Sequence, residues 1–149
     1  IKVADFGSAT KKFSNNPGTM KGTLAFMAPE IVLEQPYGPS CDVWSIGCIF
    51  AKLLGIELHG KTDFYNLVSV YRSLPLDAGV VVAPDMPPNL AQFLMSCLKR
   101  DPVKRATAAE LLQSPLLTSP TLLMEEYERI PRDITDGGSI CNMSLISEM

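Results

Sequence analysis

The run Val43-Trp44-Ser45-Ile46-Gly47-Cys48-Ile49-Phe50-Ala51-Lys52-Leu53-Leu54 constrains the fold more than any other stretch, because it is apolar nearly all the way round a helical wheel. Ser40 is read as its N-cap, Asp42 suits its first turn, and Gly55 stops it. A helix apolar on every face is expected to be buried on every face. Other helices should therefore pack around it. Pro29 suits the first turn of a short one, with Glu30 near its N-terminus and Ile31, Val32 and Leu33 following; Gln35 to Pro39 breaks it. Thr62-Asp63 caps a second, with Phe64, Leu67, Val68 and Tyr71 on one face. Leu90, Phe93, Leu94, Cys97 and Leu98 mark a third, ended by Lys99-Arg100 and Asp101-Pro102. Thr107-Ala108-Ala109-Glu110 is a capping box that opens a helix through Leu112, stopped at Ser114-Pro115. Residues 121 to 130 have the pattern of one more. The stretch from Leu74 to Pro88, with four prolines, is irregular, and no internal repeat is present.

Composition excludes several classes. A chain of 149 residues, 46% hydrophobic and 19% charged, suits one domain with a proper core and a tail. A net charge of -3 supplies no basic field for nucleic acid or an anionic membrane surface, so neither is expected as a partner. Cys41, Cys48, Cys97 and Cys141 are scattered without any Cys-x-x-Cys, and read as reduced core residues in an intracellular, cytoplasmic setting. No apolar run approaches the roughly 18 to 20 residues that span a bilayer, and no leader pattern opens the chain. Ile1 begins without an initiator Met inside what reads as a strand, Ile1 to Asp5, so the chain is expected to be the C-terminal part of something longer.

Four landmarks carry the chemistry. Asp5-Phe6-Gly7 follows that strand: a carboxylate offers the hard oxygen ligands magnesium prefers, Phe6 anchors the turn, and Gly7 allows backbone angles that other residues resist. Residues 8 to 27 then lose all periodicity and gather Ser, Thr, Asn, Pro and Gly over about twenty positions, longer than the usual connection and so functional or disordered. Gly22-Thr23 leads on to Ala28-Pro29-Glu30. Asp42-Val43-Trp44-Ser45-Ile46-Gly47 and Arg100-Asp101-Pro102-Val103-Lys104-Arg105 complete the set. In this order the four resemble the activation segment and C-terminal lobe of the eukaryotic protein kinase family, over residues 1 to about 117. Gly22-Thr23-Leu24-Ala25-Phe26-Met27 is similar to serine/threonine rather than tyrosine kinases, and Ala4-Asp5-Phe6-Gly7-Ser8-Ala9 to MAP-kinase-kinase-kinase-like members.

The resemblance implies a mainly α fold, the C-terminal lobe portion of the bilobal α+β kinase, beginning at the strand before Asp5. It divides the chain into a partial kinase domain, 1–117, and a tail, 118–149, with one helix and then a loosely ordered end rich in Gly, Ser and Asn. It implies ATP and Mg2+ as cofactors, held through Asp5, Phe6 and Gly7 with Asp5 on the metal, and Thr23 seating the substrate hydroxyl. It implies a protein substrate and an upstream activating kinase, with Thr19 and Ser14 as regulatory phosphorylation sites. Glu30 and Arg105 resemble the two halves of a buried structural ion pair, and Trp44 and Gly47 are packing residues. Asp42 has a capping reading and, by the resemblance, one in which it holds the backbone of the catalytic loop, and the two are compatible. Lys11-Lys12 reads as a solvated face or as a counter-charge to loop phosphate, and His59 as exposed. Within these 149 residues there is no Gly-rich loop, β3 Lys, partner Glu helix or His-Arg-Asp catalytic loop, so the segment alone is expected to be inactive. A non-catalytic kinase-like interaction module is the alternative.

Overall fold

The computed structural model describes residues 4, 23–56, 58, 63–80, 82 and 84–130. A single 3-10 turn, Leu24–Phe26, precedes seven helices among these residues: α1 (Pro29–Val32), α2 (Ser40–Leu53), α3 (Phe64–Ser73), α4 (Pro88–Cys97), α5 (Ala108–Leu112), α6 (Pro115–Thr118) and α7 (Pro120–Glu128). The fold is mainly α, as expected. The expected opening strand lies outside the described residues apart from Ala4.

α2 is the centre. Its Val43, Trp44, Gly47, Cys48 and Ala51 are buried, and it packs against α4 and the 3-10 turn. The approach of α4 is close: a Cβ on Gly47 would stand 2.6 Å from Cys97 Cβ and 2.9 Å from Leu98 Cδ2, so any larger residue would push the two helices apart. One turn further on, Phe50 meets Phe93 with ring centroids 4.7 Å apart. The expectation that α2 is covered all round is wrong. Ile46, Ile49 and Leu53 remain 44%, 49% and 73% exposed, a stripe at spacings of 3 and 4 that none of the described elements covers.

Helix starts divide sharply by chemistry. Asp63 caps α3 by accepting from Asn66 N–H, and Thr107 with Glu110 forms the full reciprocal capping box of α5, both as the sequence indicates. Ser40, by contrast, is no cap. It is already helical, the preceding Pro39 occupies the cap position, and the Cys41 and Asp42 N–H groups donate to the Gly38 and Pro39 carbonyls instead. α1 ends in a Schellman motif, in which Gln35 N–H donates to the Glu30 carbonyl and Glu34 N–H to that of Ile31, with Glu34 in the left-handed region at φ 54°.

The irregular stretch after α3 is tied down by an antiparallel bridge between Gly79 and Lys99. Val80 N–H donates to the Leu98 carbonyl and Arg100 N–H to the Ala78 carbonyl, while Arg100 Nε reaches the Tyr71 carbonyl near the end of α3. This bridge fixes the backbone of residues 98–100. α6, a turn that the sequence reading treats only as the stop after α5, is opened by Pro115 and buries Leu116 against the core.

Candidate functional site

Two groups of residues emerge around the start of α2. The first is the exit of the segment that contains Thr23. Thr23 is exposed, its carbonyl accepts from Phe26 N–H at 3.0 Å, and its hydroxyl makes no hydrogen bond among the described residues. Ser45 Oγ in α2 donates to the Phe26 carbonyl at 2.8 Å, and its 3.2 Å contact with the Cys41 carbonyl keeps it on the helix. Met27 and Ala28 are buried immediately after. The Thr23 hydroxyl is thus presented to solvent on a short turn fastened to the most central helix. Nothing in the sequence pattern marks Ser45 for that task.

The second group gathers on Arg105. Its guanidinium has five N–H donors, and all of them find acceptors: Nη1 and Nη2 bond Glu30 Oε1 and Oε2 at 2.6 and 2.7 Å, Nη1 also the Ser40 carbonyl at 3.0 Å, Nη2 the Arg100 carbonyl at 3.2 Å, and Nε the Lys99 carbonyl at 2.7 Å. Partners 75 residues apart in sequence are thereby joined. The Arg105 and Glu30 side chains are 0% and 3% exposed, so water competes with neither. Trp44 lies beneath, its ring 5.0 Å from Arg105 Cζ and edge-on to Tyr71 at 5.9 Å. A planar cation, a bidentate carboxylate and three backbone carbonyls together knit α1, the start of α2 and the loop after α4.

Asp42 sits exposed in the first turn of α2. Among the described residues it makes no capping bond to backbone and only a weak 3.8 Å contact from Cys41 Sγ, so the capping half of its reading fails because the turn carbonyls already serve those N–H groups. Asp5, Phe6, Gly7, Ser14 and Thr19, like Lys11, Lys12, Gly22 and His59, lie outside the described residues. Among the described residues no three His, Cys, Asp or Glu side chains gather as a metal site. Burial pushes the Cys41 thiol up to about 11 and the Cys48 and Cys97 thiols to about 12, which keeps all three protonated near neutrality. No helix among the described residues is long and apolar enough to cross a membrane.

Residues 1–117 match the protein kinase domain. The chain belongs to that family. The chain is 31% identical over 143 residues to mitogen-activated protein kinase kinase kinase 3 of Arabidopsis thaliana, taking in 93% of this chain and 22% of that protein. It is 32% identical over 160 residues to serine/threonine-protein kinase STE20 of Candida glabrata, across 93% of this chain and 16% of that one. It is 34% identical over 130 residues to serine/threonine-protein kinase PAK 4 of Mus musculus, across 79% and 20%. The chain therefore spans about a fifth of the length of these relatives, and its resemblance is to serine/threonine members, the MAP-kinase-kinase-kinase group among them.

Proposed function

We propose that this chain supplies the activation segment and C-terminal lobe of a protein serine/threonine kinase, and that the parent transfers the γ-phosphoryl group of ATP to Ser or Thr of a protein substrate. The observation that carries the reading is the Thr23 turn, anchored through Phe26 to Ser45, its hydroxyl making no hydrogen bond among the described residues. Phosphoryl transfer asks the protein mostly to position groups and neutralise charge, and a hydroxyl held on a rigid turn is a positioning group. Asp5 is the residue whose donor chemistry fits magnesium; the metal, when bound, draws charge from the phosphate oxygens. Phe6 and Gly7 follow Asp5 in the sequence and are residue types that suit a tight turn beside a metal ligand. The nucleotide clamp and catalytic base are parts that these residues do not include, so the isolated segment has no turnover of its own. Thr19, and secondarily Ser14, is the site at which an upstream kinase switches the enzyme on, since a phosphate of about -1.5 to -2 charge recruits cationic side chains to a segment whose sequence carries no apolar periodicity. The reducing cytoplasm suits Cys41, Cys48 and Cys97, which are all buried as free thiols.

The test is steady-state kinetics on the full-length protein. Asp5→Asn is expected to remove nearly all turnover, and Thr23→Ala to lower kcat by on the order of a hundredfold, while Thr23→Ser keeps most of it. Thr19→Ala is expected to abolish activation by the upstream kinase where Ser14→Ala does not. Turnover within a few fold of wild type in Asp5→Asn, or a folded full-length protein with no kinase activity at all, overturns the catalytic reading in favour of an interaction module.

A further inference from the structure

α7 lies beyond the residues that match the kinase domain; its least exposed side chains are Leu122 and Leu123, half-buried, and Glu126, buried, and Ile130 is buried just past its end. Three of these are apolar. The fourth, Glu126, is only 1% exposed. A carboxylate in such a place is tolerated only if the bonds it accepts replace those of water. Glu126 accepts three: Oε1 from Asn89 N–H at 3.3 Å and from Asn89 Nδ2, and Oε2 from Leu90 N–H at 2.8 Å. It forms no ion pair among the described residues.

Asn89 and Leu90 are the second and third residues of α4, whose N–H groups have no acceptor within the helix. A cap residue usually serves them, but the cap position of α4 is Pro87, which has no acceptor on its side chain. Glu126 performs that task from 36 and 37 residues away, and places negative charge at the positive end of the helix. The two elements complete each other: α4 lacks an acceptor, and α7 buries one.

We infer that residues 118–130 are a strap belonging to the kinase lobe, latched by the Glu126 carboxylate on the first turn of α4, and that the folded unit runs to Ile130. The alternative is that α7 adheres through Leu122, Leu123 and Ile130 alone, with the carboxylate incidental. Catalysis plays no part in the inference, so its fate is separate from that of the kinase reading.

Amide hydrogen exchange on the full chain distinguishes the two. In Glu126→Ala the Leu90 and Asn89 amides are expected to exchange on the order of tenfold faster, while those of α5 keep their wild-type rates. Glu126→Gln keeps the volume and one acceptor oxygen, and guards against a variant that does not fold; it should speed Leu90 or Asn89 by several fold. Asn89→Ala removes a donor from the other side and should loosen the amides of Glu126 to Glu128 in turn. Glu125→Gln, an exposed neighbour, is the control and should change nothing. If Glu126→Gln leaves both α4 amides, and Asn89→Ala leaves the strap amides, within a factor of about two of wild type, the latch does not exist and α7 is merely adherent.

Discussion

Arg105 turns every N–H of its guanidinium toward protein acceptors, and no lysine could do so, since an ammonium has three donors and no planar fork. Removing either member of its pair with Glu30 leaves the other charge buried and uncompensated. Glu30→Ala and Arg105→Ala are therefore each expected to cost about 3 to 5 kcal/mol in urea unfolding. The double variant should lose much less than the sum. Strictly additive losses, each under about 1 kcal/mol, would show that the pair contributes nothing beyond an exposed contact. At this scale the sequence is unevenly legible. The pairing of residues 30 and 105 is implied by the resemblance of Ala28-Pro29-Glu30 and of Arg100-Asp101-Pro102-Val103-Lys104-Arg105 to motifs of the kinase family. The carbonyls of Ser40, Lys99 and Arg100 cannot be read, because backbone acceptors leave no mark on side-chain identity. Glu126 has a faint signal, a charge at the 122, 126, 130 register that otherwise faces inward, which a polar-means-exposed reading discards.

Element boundaries follow whichever hydrogen-bond acceptor is nearest, and that decides which of them a sequence discloses. Thr107 and Glu110 announce α5 because both halves of the capping box are side chains within one turn of each other. The Thr107 bonds also hold the Glu110 carboxyl below its ordinary range. Ser40 misleads because Gly38 and Pro39 offer turn carbonyls that make its hydroxyl unnecessary. The end of α1 is hidden for another reason: the left-handed position of its Schellman motif is filled by Glu34, where Gly or Asn would signal it. Glu34 is exposed, so its side chain is dispensable to packing. Glu34→Gly should raise stability by about 1 kcal/mol by relieving the backbone, net of the entropy glycine adds to the unfolded chain. The check is a higher urea midpoint with an unchanged slope, and a lowered midpoint would mean that the strain is not there to be relieved.

At the scale of the whole molecule, burial gives the described residues a common response to alkali. The thiols of Cys41, Cys48 and Cys97 are raised from their ordinary value of 9.0 to about 11, 12 and 12, with burial the largest cause in each, and the Tyr71 hydroxyl is pushed up as well. The folded state thus holds protons that the unfolded state releases. Their contribution to stability is complete below about pH 9 and is lost as pH rises toward 11 and 12, so the urea midpoint should fall steeply across that window. Cys48→Ser should flatten the fall; a midpoint constant from pH 8 to 11 would place these thiols in contact with water. The same packing has a genetic consequence at Gly47. Every amino acid that a single base change can put in place of glycine carries a Cβ, and there a Cβ meets Cys97 and Leu98 inside van der Waals contact. Position 47 therefore has no neighbouring neutral step. Missense variants there would surface as scarce protein cleared by cellular quality control, with the reactive groups themselves untouched.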